Sequence, residues 1–546
     1  MSHKIVFKNA KIVDGGEGQI FIADVGVNDG LISAVDTSCG LTGEKVIAAE
    51  GFCLSPGFID FHSHSEWALV GKHRDEYQFP FLQQGVTSFF GGMCGFSPYP
   101  ATDESWELIK RNNSSLHDGT IERYWSNIKE FAEYVEKKGI MLNAGLFVGH
   151  GTLRAIIKGN DPSPMTRDEI RTLRNMITKA VSQGAFGVSM GFMFIPGLFA
   201  DDTEIRAVFE IVAETNTLVC IHAHTYNWKS SFPAYAGQKT PHNVLDIRYF
   251  CDMAKQTGAK LHLSHLLLKG RNTWHTYEDV LKEIDKANND NANVTFGVIP
   301  YHWGNTIIQS LLPESFLDNF ERNIQDPEKT KQLKEDITRT EQEIGRTAND
   351  LFLLSGNNNS ELEPWLGKSF RDIGVETDNS DVETILWITK ASAGKAVILT
   401  AAYSGEEGQY EELLNRFLIH EKAIIEIDAV VNVTGKTQPP AAFGACPKVI
   451  GRYAREKGIF SLSTAVHKMT GKSASRLGLN NRGFIREGMA ADLVLFDADK
   501  IADNNTIADP TCPPTGIYQI WQSGRLKMEN GKKAENSLTG KILKAC

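Results

Sequence analysis

The sequence lacks the cysteine spacing of a disulfide framework or a zinc ribbon. Its eight cysteines are scattered over 546 residues without a tight C-x-x-C pair. No apolar run approaches the length of a membrane span. The apolar runs at the amino terminus contain Lys4, Lys8 and Lys11, so no signal peptide is expected. We therefore expect a reduced chain in the cytoplasm, without membrane contact.

Positive charge is also scarce. Lysine and arginine total 57 against 67 aspartate and glutamate residues, which gives a formal net charge of -10. Without a basic stripe, nucleic acid and anionic membranes are not expected as partners, and a small molecule is. A hydrophobic content of 41% excludes disorder, and the length predicts roughly two to four domains. The sequence leaves the oligomeric state open.

The two ends of the chain share one pattern. Residues 4 to 36 alternate apolar and polar positions between turn signals at Asp14-Gly15-Gly16 and Asn28-Asp29-Gly30. The alternation returns in the last hundred residues, in AADLVLFDAD and GIYQIWQSGRLKMENGK. We predict a small β-sandwich domain built from residues 1–57 and 482–546.

The middle of the chain has a different rhythm. Strand-like apolar runs alternate there with helix-like segments, a pattern typical of an α/β fold of the (β/α)8 TIM-like barrel type. The runs are GFIDFHSH, GVTSFFGG, LNAGLFVGHG, GAFGVSMGF, TLVCIHAHT, KLHLSHLLL, VTFGVIPY and AIIEIDAVV. We predict a barrel over residues 58–481, interrupted at 313–380 by a charged, helix-prone insertion.

Several histidines lie at the ends of these predicted strands, where a barrel places its active site. His62 and His64 are two residues apart, so on a strand both side chains leave one face and can bind one ion. His222 and His224 repeat this spacing. His262 and His265 differ in parity, so only one of that pair is expected to enter the barrel.

Two further residues are candidates. Asp428 follows the last apolar run, and a buried aspartate is expected to contact a metal, act on metal-bound water or form an ion pair. Cys94 lies between glycines in GGMCGFSPYP. The residues alone leave it open as a buried filler, a nucleophile or a metal ligand, with a disulfide least expected.

The order of motifs resembles the amidohydrolase superfamily and, within it, the N-acyl-D-amino-acid deacylases (D-aminoacylases). The motifs are PGFIDFHSH, GVTSFFGGMCGFSP, VGHGTLR, GVSMGFMFIPGLFADDTEI, the histidine strands, FGACPKVIGRYAREKGIFSLSTAVHKMTGKSASRLGL and GFIREGMAADLVLFDAD. The resemblance spans nearly the whole chain and is weakest from about 305 to 425. It implies a zinc-dependent hydrolase of linear amides acting on a small N-acyl substrate.

The resemblance also implies roles for single residues. Cys94 matches the cysteine that bridges two metal ions in this family. Cys94, His222 and His265 would hold a tightly bound zinc ion, and His62 with His64 would complete a weaker second site. Asp428 matches the general base.

The substrate side departs from the family pattern. The lysine of the family's S-H-x-K is Leu267, the serine after D-x-Y-P-Y is Asn305, and the arginine before F-G is Ala441. The family's D-x-Y-P-Y motif reads Gly297-Val298-Ile299-Pro300-Tyr301 in this chain. The arginine of the family's H-x-R motif is replaced by His224. We expect an intact hydrolytic centre with altered substrate recognition, in which Lys269 and Lys436 are the candidate replacements.

Two other functions remain open. One is a different amidohydrolase chemistry on the same barrel, with a cyclic amide or a peptide-like substrate. The other is a non-catalytic descendant that binds or assembles. The second is less favoured, because such a chain is expected to lose metal ligands first, and His62, His64, Cys94, His222, His265 and Asp428 are all present.

Overall fold

A computed structural model describes residues 2–117, 119–230, 232–317, 319–403, 411–429, 438–535 and 537–545. The strands are β1 (Ser2–Ile12), β2 (Phe21–Asn28), β3 (Leu31–Asp36), β4 (Thr42–Ala48), β5 (Cys53–Pro56), β6 (Phe58–Asp60), β7 (Val86–Gly91), β8 (Asn143–Leu146), β9 (Val148–Gly149), β10 (Gly187–Gly191), β11 (Leu218–His222), β12 (Lys260–Leu263), β13 (Asn293–Val298), β14 (Trp303–Ile307), β15 (Leu351–Ser355), β16 (Val397–Ala401), β17 (Ala423–Ile425), β18 (Leu493–Phe496), β19 (Ile517–Gln522), β20 (Arg525–Glu529), β21 (Lys532–Lys533) and β22 (Ile542–Leu543).

The helices lie mainly between the central strands. They are α1 (Arg74–Gln83), α2 (Asp103–Asn112), α3 (Ile128–Lys138), α4 (His150–Lys158), α5 (Arg167–Ser182), α6 (Asp202–Glu214), α7 (His242–Thr257), α8 (Tyr277–Asn289), α9 (Glu314–Leu317), α10 (Phe320–Asn323), α11 (Pro327–Ile344), α12 (Phe370–Thr377), α13 (Asp381–Ala391), α14 (Glu411–Ile419), α15 (Ala441–Lys448), α16 (Leu462–Met469) and α17 (Gly471–Leu477).

The central strands are parallel and buried. Every residue of β7, β10 and β11 is buried, as expected for strands covered on both faces. The helices between them are amphipathic and end at defined residues. For example, α5 begins with a capping box in which Thr166 and Glu169 each bond the other's backbone N–H, and only a narrow stripe of its residues is buried.

These strands belong to two sheets. One has the order β17-β13-β12-β11-β10-β9, and the other has the order β22-β8-β7-β6. Only Phe147 separates β8 from β9, and beyond β17 the Asp428 N–H donates to the His62 carbonyl at 3.1 Å. The α/β fold is confirmed. Closure of the two sheets into one barrel stays a prediction.

Both chain ends form one nine-stranded sheet of the order β21-β20-β19-β18-β5-β1-β2-β3, in which β4 pairs with β1. Its core includes an edge-to-face contact between Phe7 and Trp521, whose ring centres are 5.4 Å apart. The last strand, β22, instead pairs in parallel with β8 of the central body. The boundaries 1–57, 58–481 and 482–546 stay a prediction.

The insertion between β13 and β17 contains more than helices. Residues 313–380 include α9 to α12, as the charge pattern predicted, and also the strand β15. The antiparallel sheet β14-β16-β15 extends the insertion from Trp303 to Ala401. It has a separate apolar core that includes Leu333, Leu351 and Ile398. The short run LFLLS was overlooked because it lies among charged, helix-prone residues.

Among the described residues, no helix is long and apolar enough to cross a membrane.

Candidate metal centre

The predicted metal-binding residues meet at the carboxyl ends of the central strands. His62 and His64 follow β6, Cys94 follows β7, and His222 is the last residue of β11. His265 and Asp428 follow β12 and β17. All six side chains are buried or nearly so. The structure therefore brings together the residues that the family resemblance implies as metal ligands and general base, His62, His64, Cys94, His222, His265 and Asp428.

Cys94 lies at the centre of this group. Its Sγ is 3.2 Å from His265 Nε2, 3.4 Å from His222 Nδ1 and 3.4 Å from His62 Nε2. His222 Nδ1 and His265 Nε2 are 3.0 Å apart. One sulfur and three ring nitrogens thus converge in a buried space.

A second group overlaps the first. Asp428 Oδ1 lies 3.5 Å from His62 Nε2 and 3.6 Å from His64 Nε2. The triads His62–His64–Cys94, Cys94–His222–His265 and His62–His265–Asp428 each keep their candidate ligand atoms within 4.8 Å of one another. Cys94 belongs to two of these triads, which is the arrangement that a ligand shared by two ions requires.

The spacing fits a divalent metal. Zinc binds sulfur at about 2.3 Å and nitrogen at about 2.0 Å, and a tetrahedral angle then separates sulfur from nitrogen by roughly 3.5 Å. The distances from Cys94 Sγ to His222 and His265 are 3.4 and 3.2 Å. The donor set of one thiol and two imidazoles also suits zinc.

Three residues of the centre adopt a left-handed backbone conformation that side chains other than glycine rarely take. The φ angles are 52° at Cys94, 32° at His265 and 45° at Asp428. Such strain is kept where the surrounding structure fixes it, and it is concentrated at functional sites. Here it turns each side chain towards the common space directly after its strand.

Glycines let the Cys94 segment approach its neighbours. A Cβ atom on Gly191 would lie 2.1 Å from the Cys94 carbonyl oxygen, and one on Gly92 would lie 2.0 Å from the Phe147 carbonyl oxygen. Either contact is too short for a side chain. A larger residue at Gly191 or Gly92 would therefore displace the backbone of the Cys94 segment, and the sulfur with it.

Burial disfavours the charged forms of His62, His222 and Cys94. It lowers the pKa of His62 and of His222 well below the usual value, and the neighbouring His265 lowers both further. Burial also raises the pKa of the Cys94 thiol well above its usual range, with Asp428 and Glu426 adding to the effect. A bound divalent cation opposes this trend, because it stabilises the thiolate.

Sequence reasoning missed Glu426. Its carboxylate is fully buried, accepts the His265 backbone N–H at 2.7 Å and lies 2.7 Å from His262 Nε2. Its Oε1 is 3.8 Å from His62 Nδ1. The signal was present, because Glu426 is two residues before Asp428 in EID, but it lay inside a run interpreted as purely apolar.

Tyr226 and Asp60 were also missed. The Tyr226 hydroxyl lies 3.2 Å from His265 Nδ1, on the opposite edge of the ring from Cys94. One Asp60 oxygen accepts the backbone N–H groups of His62 and Ile427 at 3.3 and 3.1 Å. These contacts orient the ring of His265 and join the ends of β6 and β17.

Three other histidines lie outside the cluster. His224 Nδ1 pairs with Asp246 at 2.8 Å, with its ring stacked on Phe192, and His150 pairs with Glu204 at 2.7 Å. His262 bonds Glu426, whose other oxygen accepts the His265 N–H. Of the pair His262 and His265, only His265 joins the cluster; that only one of the two enters the barrel stays a prediction.

A cavity of about 440 Å³ opens above the centre. Its wall includes His64, Cys94, His222, His265 and Asp428. Phe96 and Phe194 also line it, with ring centres 5.0 Å apart, and Phe194 lies 4.9 Å from His222. A substrate can therefore reach the cluster along an apolar wall.

The positions that lost a charged or hydroxyl group differ in their surroundings. Asn305 lines the cavity, whereas Leu267 is buried in the core. Lys269, a candidate replacement, is 4% exposed and lies over the Tyr226 ring at 5.6 Å, outside the residues that line the cavity. Burial lowers its pKa to about 7. Lys436, the other candidate, lies outside the described residues.

Comparisons with known proteins agree along the whole chain. The family model Amidohydro_3 (Amidohydrolase family) matches residues 429–526. The chain is 26% identical to D-aminoacylase from Alcaligenes xylosoxydans xylosoxydans, over 95% of this chain and 93% of the relative. It is 25% identical to N-acyl-D-glutamate deacylase from the same organism, over 95% of this chain and 92% of the relative.

Solved structures share the fold. N-acyl-D-glutamate deacylase from Bordetella bronchiseptica, complexed with zinc and a phosphonate inhibitor, superposes with a TM-score of 0.79 at 22% identity, over 100% of both chains. D-aminoacylase with a binuclear metal centre gives 0.79 at 23% identity, over 99% of this chain and 100% of the other. The predicted resemblance is confirmed: the chain matches the amidohydrolase family model over residues 429–526 and is similar, along nearly its whole length, to the N-acyl-D-amino-acid deacylases.

Proposed function

We propose that this protein is a zinc-dependent amidohydrolase that hydrolyses a linear N-acyl amide, with recognition of the substrate carboxylate altered from that of its relatives. The observation that carries the proposal is the position of Cys94 Sγ, within 3.4 Å of ring nitrogens of His62, His222 and His265. The homologues are hydrolases of non-peptide carbon–nitrogen bonds, in agreement with this class.

Two overlapping sites are proposed. Cys94, His222 and His265 would hold the tightly bound zinc, and His62 with His64 would hold a second ion that shares Cys94. When bound, zinc polarises the amide carbonyl and makes water a stronger acid. Tyr226 would orient the His265 ring, because its hydroxyl lies 3.2 Å from Nδ1, and Glu426 would fix the His265 backbone, because it accepts that N–H.

Asp428 is proposed as the general base. Its carboxylate lines the cavity and lies within 3.6 Å of His62 and His64. From there it would take a proton from the attacking water and pass it to the leaving nitrogen. Proton transfer by a positioned side chain contributes about a hundred- to ten-thousand-fold in rate.

The altered carboxylate recognition rests on the substituted positions. Leu267 and Ala441 carry no charge, so the lysine and arginine contacts implied by the resemblance are absent at those positions. Loss of a buried charged partner typically costs several kcal/mol of binding. Simple N-acetyl-D-amino acids are therefore expected to be poor substrates. A cytoplasmic location and a small-molecule N-acyl substrate belong to the same proposal.

Zinc content and hydrolysis test the assignment together. Cys94→Ala should lose most of its zinc, and amide hydrolysis should fall by about a hundredfold or more. Asp428→Asn should keep its zinc and lose about a hundred- to ten-thousand-fold in kcat. The substrate panel holds D- and L-N-acyl amino acids, their α-amides and cyclic amides.

Cys251→Ala is the matched control. Cys251 is a buried cysteine in α7, outside the cluster, so its loss should affect stability but neither zinc nor turnover. The ligand assignment is wrong if Cys94→Ala keeps both zinc and activity. If only cyclic amides are turned over, the proposed linear-amide hydrolysis is wrong and the cyclic-amide alternative is correct.

A further inference from the structure

The outer part of the cavity carries positive charge on two of its walls. Arg111, in the last turn of α2, and Arg322, in α10 of the insertion, are exposed, and Lys395 is half-buried in the turn before β16. One carboxylate, Glu321, lines the same region. The inner part, around Cys94 and Asp428, is buried. The cavity thus has a metal-binding floor and a mainly cationic rim.

These three cations have no carboxylate partner within 4.0 Å among the described residues. Other cations of the insertion do: Lys334 Nζ lies 2.5 Å from Glu383, and Lys368 Nζ lies 2.7 Å from Glu376. Unpaired charges that face a cavity are available to a ligand, whereas paired ones are already satisfied.

The rim is also held in place by packing. A Cβ atom on Gly394 would lie 2.6 Å from the Phe320 ring, so α10 rests directly on the turn that carries Lys395. On the other wall, Asn112 bonds Asn160 at 2.9 Å beside Arg111. Arg322 and Lys395 therefore lie on two segments of the insertion that pack against each other, and Arg111 lies on the central body.

We propose that this cavity takes an acyl compound whose negative charge lies at the end remote from the scissile amide, and that Arg111, Arg322 and Lys395 bind that charge. The inference rests on the proposed function and names its substrate class. The apolar wall of Phe96 and Phe194 takes the chain between the amide and the anionic end. At the two positions where the family pattern places a lysine and an arginine, this chain has Leu267 and Ala441, which carry no charge.

Charge-matched substrates test the proposal. One pair is an N-glutaryl amide of D-leucinamide and its neutral N-glutaramoyl counterpart, and the other is N-acetyl-D-glutamic acid α-amide and N-acetyl-D-glutamine α-amide. We expect kcat/KM to favour the carboxylate in at least one pair by about five- to tenfold at low ionic strength, since the rim is open to solvent. The preference should fall as salt is added. Equal kcat/KM within both pairs would overturn the proposal.

Charge reversal assigns the effect to the rim. Arg322→Glu and Lys395→Glu should each lower the preference by about threefold or more. Lys331→Glu, an exposed lysine of the same insertion outside the cavity lining, changes net charge equally and should keep the preference. If Lys331→Glu reduces the preference as much as the rim variants, the effect is one of overall charge, and the rim assignment fails.

Binding separates this inference from the proposed function. Calorimetry of the zinc-loaded protein compares glutarate with its monoamide, and glutarate should bind about five- to tenfold more tightly. Should no amide be hydrolysed while glutarate is preferred, the reaction fails and the anion site stands. If amides are hydrolysed without any charge preference, the proposed reaction stands and the anion site is excluded.

Discussion

Glu426 is a fully buried carboxylate beside two of the proposed metal ligands. It accepts the His265 backbone N–H at 2.7 Å, and its Oε1 lies 3.8 Å from His62 Nδ1. Burial raises its pKa well above the usual value. Groups of this kind orient ligand rings and increase their basicity.

Replacing the carboxylate with an amide of the same shape isolates that contribution. Glu426→Gln should weaken zinc binding by about ten- to a hundredfold, because an amide NH2 group in place of one carboxylate oxygen cannot accept a hydrogen bond from His262 or His62. A chelator competition assay measures the change. Glu204→Gln is the control, since Glu204 is equally buried but pairs with His150 and Arg154 outside the cluster. Unchanged zinc affinity in Glu426→Gln, or an equal loss in the control, would exclude this role.

At the residue scale, the H-x-H spacing predicted one pair of neighbouring histidines, although both lie past the end of β6 at Asp60. His62 and His64 do lie together beside Asp428. The same H-x-H spacing failed for His224, which turns to Asp246 because β11 ends at His222. Cys94 could not be chosen from spacing alone, and only the family resemblance pointed to it. Side-chain direction past a strand end depends on turns that no alternation rule describes.

At the element scale, β17 lies in the last of the eight apolar runs and leads into Glu426 and Asp428. A buried lysine forms a hydrogen bond just before this strand. Lys468, in α16, donates to the His420 carbonyl at 2.7 Å, just before β17. Burial, together with the nearby charge of Lys472, lowers the pKa of Lys468 to about 7. The unfolded chain keeps the ordinary value of 10.5.

This shift predicts how stability changes with pH. Between about 7 and 10.5 the unfolded state binds one more proton than the folded state at Lys468, so this group makes stability rise with pH. Lys468→Met should lower that slope by up to about 1.4 kcal/mol per pH unit, measured by urea unfolding between pH 7 and 9. The exposed Lys179→Met is the control. An identical slope in wild type and Lys468→Met would show that burial does not shift this amine.

Element positions were largely predictable, because buried parallel strands and amphipathic helices have distinct periodicities. Each of the eight apolar runs contains a strand of the central sheets. The sheet of the insertion was not predicted. Its three strands pair antiparallel across long stretches of chain, from Trp303 to Ala401 and from Leu351 to Thr400, and such pairing leaves no local signal.

At the scale of the whole molecule, the segment that carries β22 connects the last residues to the central body. The Gly540 N–H donates to the Ile140 carbonyl at 2.7 Å, and the Ala144 N–H donates to the Lys541 carbonyl at 2.9 Å. The alternation of the last hundred residues suggested that they all join the small β domain. The pairing of β22 with β8 differs from that expectation. The two apolar residues of β22, Ile542 and Leu543, instead lie at the edge of the central sheet.

A substitution at Gly540 tests this connection. A Cβ atom there would lie 2.2 Å from the Leu142 carbonyl oxygen, so Gly540→Ala should destabilise the protein by about 1–3 kcal/mol. Gly18→Ala is the control, because nothing lies within 4 Å of its added Cβ. Thermal unfolding should show a lower midpoint for Gly540→Ala alone. Equal midpoints for the two variants would contradict a structural role for the final segment.

The insertion leaves and rejoins the central body through two strands that are direct partners, since Trp303 of β14 pairs with Ala401 of β16. Between them lies an apolar core of its own. The two junctions are therefore adjacent, but the interior is not independent: Ile195 and Leu198 of the central body pack against this core, and Arg271 forms an ion pair with Asp350. An exchange of residues 303–401 between relatives therefore has to carry these contacting residues of the central body with it.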